Sequence, residues 1–190
     1  MSSTANGSAI GPQPAPSETW RSLGLLLMLA LLTRAWIFGD PVVNIDEQFY
    51  LMVGERMRDG ALPYVDIWDR KPIGLFLIYE LACRLFADAA LGYQLLALLS
   101  VVLTAAALFA MLRRLVPFWP ALAAAAGYEA WLLVFGGIGG QTPVFYNLPM
   151  MLAAATLLGL VADPGAEGLA RKGCAIMVLT GRLVKIEVPR

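Results

Sequence analysis

Four apolar runs, at 20–38, 91–112, 118–135 and 144–162, dominate this chain. Each approaches the roughly 20 residues that a helix needs to cross a hydrocarbon core of about 30 Å. Inside a bilayer only helices or closed barrels satisfy every backbone polar group. The fold class expected is therefore all-α, a multi-spanning helical bundle of about four to five spans. A further apolar run starts at Cys174 and stops at Thr180, before the charged ending "GRLVKIEVPR". Composition points the same way. The 190 residues are 59% hydrophobic and 15% charged, against about 45–50% and about 25% in ordinary soluble domains, and mean hydropathy is +0.69.

The first run, "WRSLGLLLMLALLTRAWIF", competes with a secretory signal. Its length, the interruption by Arg34 and the lack of an A-x-A site after it favour a span. Arg34 lies near the outer end, where its stem is expected to snorkel. Residues 1–19, rich in Ser, Gly, Pro and Ala, read as a disordered tail. Net charge is zero and no basic face suggests nucleic acid. The chain has no histidine, so imidazole bases, Ser-His-Asp triads and H-E-x-x-H zinc sites are excluded. Cys83 and Cys174 form neither a metal motif nor a disulfide framework.

Residues 39–72 break the apolar pattern with seven acids and four bases. Within them, 47–58 reads as an amphipathic helix with Phe49, Met52, Val53 and Met57 on one face, Asp46 as N-cap and Gly60 as stop. Residues 73–86 form a second short helix, with Glu80 and Arg84 as an i,i+4 pair. Both are too short and too charged to cross, so a first outer loop of amphipathic interfacial helices is expected. Arg21, Arg113, Arg114, Arg171 and Lys172 fall on one side if the spans alternate, which makes that side cytoplasmic. The 39–88 loop and the "GGIGGQTPVFYNLP" link then share the outer face. Trp36, Tyr64 and Trp68 read as aromatic-belt anchors, and Tyr79 as packing.

"NIDEQFY" at 44–50, "GALPYVDIWDRKP" at 60–72 and the apolar helix after Lys71-Pro72 follow one another in order. This arrangement resembles the membrane glycosyltransferases of the GT-C fold, in particular the protein-mannosyltransferase and aminoarabinose-transferase group. The resemblance covers roughly residues 20 to 180 and implies a polyprenyl-phosphate-linked sugar as donor, with an acceptor at the outer surface of a bacterial plasma membrane. It places Asp46 at the reaction centre and Lys71 near the donor phosphate, with Glu47, Asp69 and Arg70 flanking. The 136–147 link, with Gln141, Tyr146 and Asn147, is a candidate contact to donor or acceptor; a flexible turn is the plainer reading. Family members often carry an acid just after the third span, where this chain reads "GGQTPVFYN". They are also several hundred residues longer. The chain is therefore expected to be an N-terminal part, with 181–190 as an atypical end, and inactive by itself.

The chemistry fits these residue types. A carboxylate can take the acceptor proton without histidine, and a cation offsets charge growing on a phosphate leaving group. A divalent metal, the sugar and the acceptor stay open at this point. Two rivals stand beside the transferase. A transporter or channel fragment would spread ionisable residues over several spans, whereas this chain concentrates them in one outer loop; Glu129, inside an expected span, reads equally as a functional acid or as a partner of a neighbouring helix. A non-catalytic membrane scaffold would use none of them.

Overall fold

Pro16 opens the first helix, where its fixed φ suits the first turn and its missing N–H costs nothing. The computed structural model describes residues 14–41 and 43–162. Six α-helices follow in order: α1 (Pro16–Arg34), α2 (Ile45–Arg58), α3 (Ile73–Leu85), α4 (Ala89–Leu112), α5 (Phe118–Val134) and α6 (Thr142–Ala162). A 3-10 turn, Ala35–Ile37, extends α1. Among the described residues there is no strand, only an isolated bridge between Pro63 and Ile67. The basic pair at 171–172, Cys174 with its apolar run, and the 181–190 end lie outside the described residues.

Among the described residues two helices are long and apolar enough to cross a membrane: Pro16–Ile37, of 22 residues, and Ala89–Leu112, of 24. The runs at 118–135 and 144–162 become α5 and α6, whose apolar stretches among the described residues are shorter. The first helix also begins inside the expected tail. Glu18 in its first turn receives Arg113 from the end of α4 in a paired contact of 2.8 and 3.0 Å, so residues 16–19 are helical rather than part of a disordered segment.

Helix α4 is the hub, packing against α1, α3, α5 and α6. Its Gln94, buried, accepts from Gly39 N–H at 2.7 Å and donates to Asp40 C=O at 2.8 Å, which fixes the chain as it leaves α1. Ser100 donates to Val144 C=O at 2.8 Å and ties α4 to α6.

Helices α2 and α3 pack as a pair of 14 and 13 residues. Gly54 lets their backbones meet; a Cβ there would lie 2.8 Å from the Tyr79 carbonyl carbon. Gly60 stops α2 as expected, at φ +102°. Its N–H bonds Met57 C=O at 3.0 Å and Ala61 N–H bonds Arg56 C=O at 2.9 Å, a Schellman ending. The expected Glu80–Arg84 pair forms at 2.6 Å.

The buried face of α2 keeps Val53 and Met57 of the expected face, with Phe49 partly buried beside them, but is rotated away from Met52. It runs Glu47, Tyr50, Val53, Gly54 and Met57, while Met52 is 44% exposed. A carboxylate does not count in an apolar pattern, so the face was read one step round the helix. The pair of helices and the 136–140 link lie at the same end of the bundle, joined by a 2.9 Å hydrogen bond from the Tyr79 hydroxyl to Gly140 C=O.

Candidate functional site at the mouth of an interhelical cavity

Asn44, not Asp46, caps α2. Its side-chain oxygen accepts from Asp46 N–H at 2.9 Å. Asp46 therefore sits inside the first turn, exposed, with its carboxylate released from capping. The Tyr50 hydroxyl, one turn on, donates to it at 3.4 Å. A carboxylate near a helix N-terminus is favoured by the helix dipole.

Asp46 and Asn44 stand at the mouth of a cavity of about 730 Å³. Thr104 and Leu108 of α4, Tyr128, Trp131 and Leu132 of α5, and Phe135, Gly136 and Gly137 of the following link form part of its wall. Gln141, Pro143, Tyr146, Asn147, Met150, Met151 and Ala154 complete it. At 1.5 Å per residue the wall from Gln141 to Ala154 extends roughly 20 Å along the chain of α6. Asn44, Asp46 and Gln141 stand at the α2 end beside the apolar Trp131, Leu132 and Phe135, and deeper in the wall Asn147 donates to the Tyr128 hydroxyl at 3.4 Å. The far end is Leu108, Met150, Met151 and Ala154. Volume and lining match the concave, mostly apolar sites that hold small ligands.

The expected site residues divide into groups. Asp46, Gln141, Tyr146 and Asn147 come together around the cavity. Asp69, Arg70 and Lys71 do not line it. Asp69 shapes the turn before α3 by accepting Lys71 N–H at 2.8 Å; no ion pair joins it to Arg70, which is exposed. The Lys71 ammonium lies 5.6 Å from the centre of the Tyr50 ring, whose hydroxyl reaches Asp46. Tyr50 thus stands between the lysine and the carboxylate.

Glu47, beside the exposed Asp46, turns into the bundle and is fully buried. Gly140 N–H, the Tyr93 hydroxyl and the Gln141 side chain turn towards it, yet neither oxygen has a hydrogen bond of normal geometry. Burial, reinforced by the neighbouring Asp46, pushes its carboxyl above the ordinary 4.5. A Cβ at Gly139 would collide with this carboxylate, and one at Gly140 with Tyr79 and Tyr93. The glycines of the link are thus spaces for Glu47 and two tyrosines, not turn formers alone. Tyr79 stacks on Tyr93 at 4.8 Å and belongs to this arrangement.

Arg34 does not snorkel. It is 2% exposed and donates one amino group to Gly137 C=O at 2.6 Å and Ile138 C=O at 2.7 Å. Two carbonyls of a glycine-rich link offer it better partners than a distant interface. Glu129, 1% exposed, and Glu47 both lie within its electrostatic reach. Sequence reasoning missed Asn44, Thr104, Tyr128 and the role of Arg34. Asn44 was the legible one, since Asn two residues before Asp46 is as good a cap as Asp.

No known family, curated protein or solved structure matches this chain. Among the described residues no group of three or more His, Cys, Asp or Glu side chains could hold a metal ion.

Proposed function

We propose that the chain carries the reaction site of a membrane glycosyltransferase that uses a sugar on a polyprenyl phosphate, within a multi-spanning bundle whose α2–α3 end faces outward. The observation that supports this most is Asp46, freed from capping by Asn44 and lining a cavity that joins polar side chains to an apolar stretch of Leu108, Met150, Met151 and Ala154. In the proposed step an acceptor O–H or N–H gives its proton to the Asp46 carboxylate. The acceptor atom bonds to the anomeric carbon, and the carbon–oxygen bond to phosphate breaks with its electron pair on the phosphate. Lys71, behind the Tyr50 ring, is the cation placed to meet that charge.

The test is transfer itself. Membranes containing the protein at its full encoded length, given a radiolabelled polyprenyl-phosphate sugar, should yield labelled lipid, glycan or protein above membranes without it. Lys71→Gln should slow that transfer. Labelled product independent of the protein would end the reading.

A transporter is favoured by one observation. Arg34, Glu47 and Glu129, from three helices, are buried, with each acid close enough to act on Arg34, as ionisable residues on a transport path do. That reading predicts ion or proton-coupled uptake into vesicles, lost in Glu129→Gln, with sugar transfer absent.

A further inference from the structure

We infer that the cavity between α4, α5 and α6 takes a lipid headed by a hydroxyl or an amine and excludes phosphate headgroups. This rests on the transferase reading and names the acceptor side of it. Asp46 is the only charged residue among the described residues of the cavity wall, which include no lysine or arginine. A phosphate there would meet a carboxylate of like charge with no cation in the wall to offset it. A hydroxyl or amine would find the opposite, an acceptor for its proton.

The cations nearby do not change this. Arg34 lies behind the link, 2% exposed, with Nη1 on the Gly137 and Ile138 carbonyls and Nε and Nη2 buried without a hydrogen-bond partner, so none of its donors is open to a headgroup. Glu129 and Glu47 both lie within its electrostatic reach. Lys71 is outside the cavity, against the Tyr50 ring. The far end is apolar and rich in methionine, Met150 and Met151, which adapts to an alkyl chain of variable shape. Charge thus sorts the two lipids: the phosphate-bearing one to the lysine side, the hydroxyl- or amine-bearing one to the cavity.

The experiment measures binding and needs no turnover. The purified chain in zwitterionic nanodiscs is titrated with hexadecanol, hexadecylamine and hexadecyl phosphate, each carrying a nitroxide at the chain end. Quenching of Trp131, which lines the cavity, is read as the part absent from Trp131→Phe. The alcohol and the amine should bind at least about tenfold more tightly than the phosphate. Asp46→Asn should bring the phosphate to within about threefold of the tighter of them, and Ala154→Trp, which fills the far end, should weaken all three. Wild-type protein that binds the phosphate as tightly as the better of the other two would overturn the inference. So would a headgroup preference unchanged in Asp46→Asn. A preference that holds while sugar transfer is absent would sink the transferase reading and leave a lipid site. Transfer by a protein whose cavity prefers phosphate would sink this inference alone.

Discussion

Asn44 caps α2 and leaves Asp46 free for the proposed proton transfer, two tasks that a single acid could have combined. Asn→Ala at an N-cap costs about 1 kcal/mol, so Asn44→Ala should lower the unfolding free energy by about that much in a denaturant titration. Asp46→Asn should change it by far less. The assignment of the cap to Asp46 failed because Asn and Asp rank almost equally there, and two residues' difference is within the error of any helix start read from pattern. Glu47 gives the pH dependence. Burial raises its carboxyl above 4.5, so the folded state holds a proton that the unfolded chain has released. Stability should then fall as pH rises from about 4.5 through the raised value. Glu47→Gln should flatten that slope in melting curves between pH 4 and 8, a range chosen to bracket the usual carboxylate region. An unaltered slope would mean that another group titrates. Nothing in the sequence signalled that Glu47 is buried while its neighbour is exposed; that is decided by where the 136–140 link folds back.

At the scale of elements, the pairing of α2 with α3 depends on Gly54. Gly54→Val should cost about 1–3 kcal/mol, the usual penalty of overpacking, because the nearest atoms are the backbone of α3 and cannot turn aside. Thermal unfolding in detergent measures it, and a loss under about 0.5 kcal/mol, the level of an ordinary surface change, would show that the helices can separate freely. The elements themselves were largely legible. Long apolar runs located α1, α4, α5 and α6, and Gly60 marked the end of α2. The faces were less so. Periodicity reads apolar residues, and the inward faces here include Glu47, Gln94, Arg34 and Glu129. Their burial follows from partners distant in sequence, such as Arg34 with Gly137 across 103 positions.

For the whole molecule, α2, α3 and the 136–140 link share one end, and Arg21, Arg113 and Glu18 the other. There Arg21 lies 5.1 Å over both the Phe118 and Trp119 rings. If α1 and α4 cross the membrane, those ends face opposite sides. Single cysteines at Ala61 and Leu115, in a Cys83→Ser, Cys174→Ser background, should label from outside and inside respectively with an impermeant maleimide. Labelling of both from one side would rule out the crossing. The central claim is that Asp46 acts on substrate at the cavity mouth, and the rate of sugar transfer by Asp46→Asn, at full encoded length and normal expression, tests it most directly. Asn keeps the size and removes the basicity. The account predicts a loss of about 10²–10⁴-fold, the usual worth of a general base, or about 3–5 kcal/mol of barrier. A rate within about threefold of wild type, far less than a general base supplies, would contradict it.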